Sequence, residues 1–319
     1  MLLMDDTNEK AFSGASFPGT RGVFDRRGSA EANGILTEAG RTAALSAEGS
    51  LIAATFNLRR DMFFDFRNRW NARKEYAAEV IRQTGATVIG VQELSPAMRG
   101  DVTQLLREYS VVGAGRSKKN TSEHSDIIVK DTDAEIDYFN TFWLSKQPER
   151  RGSRAFSTIF PRICTVAEVN IKNLGRRIRV FNSHFDCISS LARNLGAEII
   201  LKYISELQKK ERLPFILMGD FNAKPSDPLI QRLRVNAHGF PDIRLRDALF
   251  EYNYEKFGRM PKESRTFHFF KGKRIGQPID YIFVSDEFYI HSAHVEAVSF
   301  EGKYPSDHYP VVASLSLLR

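Results

Sequence analysis

Cysteine is scarce in this 319-residue chain, which contains only Cys164 and Cys187. Two cysteines cannot build the disulfide framework of a small secreted domain, and they fit a reducing compartment. Long apolar runs are also missing: the chain contains no stretch of about 18 or more hydrophobic residues, which is the length needed to span a bilayer. The opening Met1–Met4 runs directly into Asp5 and Asp6, without the basic segment of an ordinary secretory signal. We therefore expect a cytoplasmic protein, with export by a route that needs no such signal left open.

Repeats are missing as well, because no unit of about 20 to 50 residues recurs along the chain. The composition is otherwise that of a globular protein, with 42% hydrophobic and 27% charged residues. This length suffices for one large α/β domain or two modest ones, each with a sizeable core. The formal net charge of +7 favours phosphate esters, nucleic acid or an acidic membrane as partners, although solubility alone would also explain so mild an excess.

Residues 1–50 differ in composition from the rest of the chain. They contain seven of the 21 glycines, and their 5 Lys or Arg against 7 Asp or Glu give a net charge of −2, which leaves +9 for the remainder. No sustained hydrophobic period runs through them. We predict a poorly ordered leader over residues 1–50 and a single folded domain over residues 51–319.

Apolar segments in residues 51–319 predict strands that alternate with helices. Helical spacing marks Arg69–Thr84, Pro96–Tyr109, Ser189–Lys210, Pro228–Arg234 and Leu245–Tyr252. Strands are predicted at Leu51–Leu58, Ala86–Val91, Ile127–Val129, Phe139–Leu144, Ile163–Ile171, Arg177–Phe185, Pro214–Met218, Ile279–Val284 and Val311–Leu317. Gly113–Asp126 is predicted to be a polar, basic loop, and Thr266–Gln277 a loop or hairpin. This alternation is typical of an α/β layout that gathers polar residues along one edge.

The most informative stretch is Gly219-Asp220-Phe221-Asn222, which follows a short buried strand. An extended backbone would project Asp220 and Asn222 to one face and turn Phe221 into the core. A carboxylate that can take a proton from water, beside an amide that can hold an oxygen, suits hydrolysis at phosphorus or at a carbonyl. An ordinary turn, in which both side chains cap their own backbone, is the alternative.

Further polar residues also stand where predicted strands begin or end. They are Asn57, Glu93, His184 with Asp186, Asp280, and Asp307 with His308. Carboxylate and amide oxygens, without a majority of His or Cys, suit a hard cation such as Mg²⁺ better than zinc. The two histidines could act as charged donors to a phosphoryl group and as a proton source.

The motifs that contain these residues resemble those of the endonuclease/exonuclease/phosphatase superfamily, which has the DNase I-like fold. They are Phe56-Asn57, Gln92-Glu93, Ser183-His184-Phe185-Asp186, Gly219-Asp220-Phe221-Asn222, Ile279-Asp280-Tyr281-Ile282-Phe283 and Ser306-Asp307-His308-Tyr309-Pro310-Val311. The motifs follow one another in the order typical of that family, and the resemblance covers residues 51–319. It implies a four-layer α/β sandwich, with two mixed sheets packed face to face and helices outside, and a catalytic domain over this range.

The resemblance also implies roles for individual residues. Glu93 is similar to the principal metal ligand of the family, with Asn57 and Asp307 near an Mg²⁺ ion that Mn²⁺ could replace. Asp220 resembles the residue that orients or deprotonates the attacking water, and Asn222 its neighbour on the phosphate. Catalytic roles are likewise implied for His308 with its partner Asp280, and for His184, which Glu123 would orient. Further motifs resemble a broad bacterial-type subgroup and imply substrate contacts from three residues, namely Asp186, Arg162 and Trp143.

Three functions are consistent with this pattern. A phosphodiesterase acting on nucleic acid is favoured by basic and aromatic residues near the expected site. The alternative is that the basic residues form a solvated surface and the aromatic residues belong to the core. They are Arg59, Arg60, Arg67, Lys118, Lys119, Arg150, Arg151, Arg154, Lys271, Lys273 and Arg274, with Phe63, Phe64, Trp70 and Phe270. A phosphatase or phospholipase-like enzyme for a small ester is the second, and a catalytically silent binding module the third. We expect a monomer that acts on a phosphate ester.

Overall fold

The computed structural model describes residues 49–155 and 157–318. The predicted leader therefore lies outside the described residues, apart from its last two. The strands are β1 Ser50–Asn57, β2 Val88–Leu94, β3 Tyr109–Val112, β4 His124–Lys130, β5 Ala134–Trp143, β6 Ile163–Ile171, β7 Arg176–His184, β8 Phe215–Asp220, β9 Arg246–Asp247, β10 Asp280–Val284, β11 Phe288–Val295 and β12 Val311–Leu317.

These strands form two six-stranded sheets. The first sheet has the order β11-β12-β1-β2-β4-β3, and the second has the order β5-β6-β7-β8-β10-β9. Both sheets are mixed, because β1 with β2 and β7 with β8 are parallel while the other neighbours are antiparallel. The predicted pair of mixed sheets is thus confirmed.

Four α-helices of the described residues cover the outer faces of the sheets: α1 Lys74–Thr84, α2 Pro96–Leu105, α3 Ser190–Lys210 and α4 Pro228–Arg234. A fifth, α5 Ala248–Phe257, packs through Ala248 and Leu249 on the core between the sheets. Side-chain oxygens cap the N-termini of four of them: Ser95 caps α2, Ser189 caps α3, Asp227 caps α4 and Asp247 caps α5, each by accepting a hydrogen bond from a backbone N–H of the first turn. None of these helices in the described part of the chain combines the length and the hydropathy needed to cross a bilayer.

The hydrophobic core has three parts, which define four layers. Leu51 of β1 and Ile127 of β4 pack with Ile216 of β8 between the two sheets. The outer face of the first sheet packs on α1 and α2, through residues such as Ile81. The outer face of the second sheet packs on α3 and α4, through residues such as Ile200. This arrangement confirms the predicted four-layer α/β sandwich, in which each sheet buries one face against its partner and the other against helices.

A buried polar bridge joins the two sheets close to the ends of their parallel strands. The amide of Gln92 on β2 donates to Thr55 Oγ1 at 2.9 Å and to Asn182 Oδ1 of β7 at 2.7 Å. The Asn182 amide donates in turn to the carbonyls of Val91 and Asp126 of the first sheet, at 2.9 and 2.7 Å. Buried polar groups with such partners specify one arrangement of neighbouring elements. We infer that this bridge fixes the relative position of the sheets.

Some predicted elements differ from the observed ones. The helix predicted at Arg69–Thr84 begins only at Lys74, because 3-10 turns precede it. The predicted loop Gly113–Asp126 is wrong at its end, since β4 begins at His124. Three strands were not predicted, β3, β9 and β11, and each of them lies at a sheet edge. β9 falls within the helix predicted at Leu245–Tyr252, which begins only at Ala248.

Candidate active site

The strand ends of both sheets meet at one edge of the sandwich and surround a cleft of about 430 Å³. The cleft lies where β1, β2, β7 and β8 end and where β4, β10 and β12 begin. Eight of the twelve residues predicted for catalysis, metal binding or substrate contact line it: Glu93, Glu123, Arg162, His184, Asp220, Asn222, Asp307 and His308. The first sheet contributes Asn57 and Glu93, whereas the second contributes His184, Asp220 and Asp280.

Asp220 occupies the centre of the cleft. Its Oδ2 accepts a hydrogen bond from the Asn57 amide at 3.0 Å and lies 3.7 Å from His184 Nε2 and 3.9 Å from His308 Nε2. Burial, followed by the charge of neighbouring Asp280, raises the pKa of Asp220 to about 7. A carboxyl group with such a pKa can exchange a proton near neutral pH.

His308 is hydrogen-bonded to a buried carboxylate. Its Nδ1 lies 2.9 Å from Asp280 Oδ2. Burial opposes the charge on the imidazole, but Asp280 and then Asp220 favour it and raise the pKa of His308 to about 10. The ring is therefore positively charged at neutral pH, and Asp280 fixes the orientation of the charged ring.

His184 has the opposite electrostatic environment. Burial and the nearby Arg162 guanidinium lower its pKa well below the usual range, so the ring is neutral at pH 7. Its Nε2 faces the same Asp220 oxygen that His308 faces. The cleft thus places one charged and one neutral imidazole on either side of a single carboxylate, which is the separation of protonation states that acid–base chemistry uses.

Glu93, the penultimate residue of β2, has a left-handed conformation with φ of 60°. Its Oε2 accepts the backbone N–H of Arg60 at 2.8 Å, and its Oε1 accepts the Asn57 amide at 3.2 Å. Burial opposes ionisation, but the interactions with the His184 and His308 imidazoles and the hydrogen bonds from the Arg60 N–H and the Asn57 amide prevail and lower the pKa of Glu93 to about 2. A non-glycine residue in this conformation is strained, and such strain concentrates at functional sites.

Two carboxylates of the cleft repel each other. Burial, and among the neighbouring charges that of Glu93, raise the pKa of Asp307, and Arg59 Nη1 lies 3.7 Å from its Oδ2. A divalent cation between Glu93 and Asp307 would offset this repulsion, and carboxylate and amide oxygens are the ligands that hard cations prefer. The donors of Asn57, Glu93 and Asp307 therefore fit Mg²⁺ or Mn²⁺ chemically.

A second set of side chains could also hold a cation. Among the described residues, one ligand atom each of Asp220, Asp280 and His308 lie within 4.8 Å of one another. A cation at Asp280 Oδ2 and His308 Nδ1 would have to displace the proton that these atoms share at 2.9 Å. We therefore regard the set with Glu93 as chemically better suited, although the buried Asp280 Oδ1 lacks a hydrogen-bond partner among the described residues.

Asn222 and Glu123 both lie in the cleft. At Asn222 the structure shows the turn that the sequence left open as the alternative, and Glu123 has partners other than the His184 that the resemblance implied. The chain leaves the extended conformation at Asn222, where φ is 48°, and the Asn222 N–H donates to Asp220 Oδ1 at 2.9 Å. Glu123 does not orient His184: its Oε1 accepts from Arg60 at 2.6 Å and from Arg116 at 3.0 Å. Two guanidinium groups hold this carboxylate more strongly than one imidazole would.

The three predicted substrate contacts are placed differently from one another. Arg162 lines the cleft, and its Nε lies 3.3 Å from Asp186 Oδ2. Asp186 itself does not line the cleft, because its other oxygen accepts the backbone N–H groups of residues 188 and 189 at the start of α3. Trp143 does not line the cleft, since this residue is 3% exposed and its indole donates to the Arg116 carbonyl at 2.7 Å.

Two arginines of the site had no clear signal in the sequence. Arg116 lines the cleft, with its guanidinium 4.9 Å from the centre of the Phe160 ring. Arg73 is buried behind the cleft and donates to the carbonyls of Leu58, Arg59 and Pro305. Both depend on partners that are distant in sequence, which no local pattern records.

Comparisons with known proteins agree with this geometry. The sequence profile described as Endonuclease/Exonuclease/phosphatase family matches residues 54–308. An endonuclease/exonuclease/phosphatase from Bacteroides vulgatus is 28% identical, with a TM-score of 0.74, over 84% of this chain and 99% of the other. A mannosyl-6-phosphatase from Bacteroides thetaiotaomicron is 27% identical, with a TM-score of 0.72, over 84% of this chain and all of the other. A TDP2 from D. rerio, solved with a single-stranded DNA product, shares the fold at 15% identity and a TM-score of 0.63, over 84% and 99% of the two chains. No curated protein is significantly similar in sequence.

Proposed function

The chain belongs to the endonuclease/exonuclease/phosphatase family, and on that premise we propose that it hydrolyses a phosphate ester by attack of water in line with the leaving oxygen. Members of this family are phosphoester hydrolases. The observation that carries the proposal is the position of Asp220, whose carboxylate faces two imidazoles in different protonation states. This arrangement supports proton transfer at a phosphate more directly than it supports a silent binding module.

Asp220 is the proposed base. With a pKa of about 7, it can take a proton from water near neutral pH, and the Asn57 amide at 3.0 Å keeps one of its oxygens in place. General-base catalysis of this kind contributes roughly 10²- to 10⁴-fold to the rate. Asn222, whose N–H holds the other oxygen, is the proposed neighbour of the phosphate.

The two histidines are proposed to act on the phosphate oxygens. His308, kept charged by Asp280, would donate a hydrogen bond to an anionic oxygen, and Arg162 and Arg116 add positive charge along the same cleft. Such donors stabilise the charge that grows on the oxygens in the transition state. His184, which is neutral, would orient the substrate through a hydrogen bond from its ring N–H.

A divalent cation is part of the proposal, with Mg²⁺ as the expected ion and Mn²⁺ as a substitute. Asn57, Glu93 and Asp307 would hold it, because their oxygens suit a hard cation and their two carboxylates repel each other without one. Such an ion neutralises phosphate charge and stabilises the leaving oxygen when it is bound.

We propose a phosphodiester in nucleic acid as the substrate, because basic and aromatic side chains adjoin the cleft. Phe64 and Phe160 line it beside Arg59, Arg60 and Arg116. Aromatic side chains with phosphate-facing cations bind single strands. A phosphatase for a sugar phosphate is the second candidate, which is supported by the 27% identity to the mannosyl-6-phosphatase.

The test is hydrolysis of a substrate panel by the wild type, by Asp220→Asn and by Asp286→Asn. The panel contains single- and double-stranded DNA, RNA, nucleotides and sugar phosphates, each with Mg²⁺, with Mn²⁺ or with EDTA. Asp286 is an exposed aspartate that pairs with Arg244 away from the cleft, so its variant makes the same chemical change without touching the site. We expect Asp220→Asn to lose roughly 10²-fold or more in kcat, and EDTA to abolish turnover. Turnover by Asp220→Asn within a few-fold of the control would overturn the proposed role of this carboxylate.

A further inference from the structure

A second cavity, of about 600 Å³, is surrounded by positive charge. We call it the basic basin and define it by the five cations that line it: Lys118, Lys146, Arg150, Arg151 and Arg154. The other lining residues are serines, a glycine and a glutamine, so none of them carries an acidic group. Five like charges around one cavity repel one another and attract an anion.

The charges of the basin are not neutralised within the described residues. None of the five cations forms an ion pair with a carboxylate of a described residue; Arg150 donates to the side chain of Gln147, and Arg154 to the carbonyls of Thr158 and Ile159. By contrast, Arg179 on β7 pairs with Glu168 at 2.8 Å. The basin thus keeps its charge for a partner outside the described residues.

Hydrogen bonds hold the loop that forms the basin in one conformation. Ser145 Oγ donates to Ser153 Oγ at 2.8 Å, and two successive turns join Gln147, Arg150 and Ser153 through backbone bonds of 3.0 Å. Gly152 has a φ of 75°, and a Cβ there would lie 2.8 Å from the backbone nitrogen of Lys118. The loop therefore packs directly on the segment that contributes Lys118. A loop whose backbone is already ordered loses little conformational freedom on binding.

Two chain segments connect the basin to the catalytic cleft. Arg116 lines the cleft, and Lys118, two residues later, lines the basin. On the other side, Arg154 in the basin donates to the carbonyl of Ile159, next to Phe160 in the cleft. Phe160 is 51% exposed, so the segment that joins the basin to the cleft presents an apolar side chain to solvent at the cleft.

We propose that the basic basin binds a second phosphate group of the molecule whose reacting phosphate occupies the cleft. This inference rests on the proposed function, and it restricts the substrate to esters with at least two anionic groups. A nucleic-acid strand meets this requirement, since its next phosphates would reach the basin while a base contacts Phe160. A small bisphosphorylated ester has the same chemistry, and the experiment separates the two sources.

The experiment compares Arg150→Ala/Arg151→Ala with Arg107→Ala/Arg176→Ala. The second pair removes the same charge from two exposed arginines that line neither cavity. The substrates are a single-stranded octanucleotide, a sugar bisphosphate, and bis(p-nitrophenyl) phosphate as the ester with one phosphate. We expect the basin variant to lower kcat/KM for a substrate with two phosphates by roughly tenfold relative to the one-phosphate ester. Loss of two phosphate contacts to a single strand should also reduce the slope of log K for binding against log salt concentration by about 1.4.

The two substrates with a second phosphate identify its source. A selective loss with the octanucleotide supports a strand, and a selective loss with the sugar bisphosphate supports a small ester. The deciding quantity is kcat/KM for a substrate with two phosphates divided by kcat/KM for the one-phosphate ester. If this ratio were the same for the basin variant and the control on both substrates, the proposal would be overturned. Binding of a fluorescent octanucleotide and of the bisphosphate in EDTA, measured without turnover, keeps the basin testable even if the wild type hydrolyses nothing in the panel.

Discussion

Replacement of Arg73 tests whether a single buried cation holds together the two segments that form one side of the site. The guanidinium is 2% exposed and donates to four backbone carbonyls: those of Leu58, Arg59 and Pro305, and that of Asn68 at 2.9 Å. Leu58 and Arg59 follow Asn57, whereas Pro305 precedes Asp307 by two residues. Burial lowers the pKa of Arg73 to about 10, so the group remains charged at neutral pH.

Arg73→Met would leave these carbonyls without their donor. Hydrogen bonds to a charged group contribute about 1.5–3 kcal/mol each and are not additive, so we expect a loss of roughly 3–5 kcal/mol in the free energy of unfolding. For a domain of this size, each kcal/mol lowers the unfolding temperature by about 2–4 °C, which gives a decrease of roughly 6–20 °C. Arg73→Lys keeps the charge but cannot reach all four carbonyls, and we expect an intermediate loss.

The assay is unfolding by urea and by heat, with Arg82→Met as the matched control. Arg82 lies on α1, nine residues further on, is exposed, and pairs with Glu108 at 2.6 Å. An exposed pair of this kind contributes less than about 1 kcal/mol. If the stability of Arg73→Met were within about 1 kcal/mol of that of Arg82→Met, the argument that Arg73 joins the two segments would be refuted.

Two further predictions concern the backbone at the end of β8 and the two thiols. Gly219→Ala should prevent folding or lower stability far more than Gly175→Ala, because a Cβ at Gly219 would lie 1.8 Å from the Ser183 carbonyl oxygen while Gly175 has no neighbour within 4 Å; equal urea midpoints would contradict this. Burial raises the pKa of the Cys164 thiol, whereas Cys187 is exposed in the cleft. We therefore expect iodoacetamide to label one thiol per native chain and two after unfolding. Labelling of the native wild type should reduce its hydrolytic activity, whereas the activity of Cys187→Ser should be unaffected by the reagent. Labelling of both thiols at equal rates in the native chain would show that Cys164 is accessible.

Prediction from the sequence succeeded where a segment's own pattern decides its structure. Ile163–Ile171 and Val311–Leu317 are apolar runs in sheet interiors, and their predicted bounds agree with the observed strands. It failed for β11, Phe288–Val295, in which two histidines and a serine alternate with buried residues. One exposed face makes such a strand less apolar overall, and its pairing with β12 depends on residues that are distant in sequence.

The same contrast applies to the candidate site. Asn57, His184 and Asp220 could be grouped in advance because each ends a buried strand, and strand ends of one sandwich meet at one edge. The partners of Glu123 could not be found in this way, because Arg60 and Arg116 reach it from two other segments of the chain. The sequence around Trp143 resembles a motif that contacts substrate. The structure shows instead that its buried indole donates a hydrogen bond to the carbonyl of Arg116, in the segment between β3 and β4.

The division of the cleft between two sheets has a consequence for unfinished chains. Glu93 belongs to one sheet and Asp220 to the other, and β12, which follows His308, pairs with β1 at the opposite end of the domain's sequence. A nascent chain still on the ribosome, or a folding intermediate with one sheet formed, therefore holds only part of the hydrolytic machinery. Activity would arise in the last step of folding, so a cell that makes this protein would not be exposed to hydrolysis by half-folded molecules.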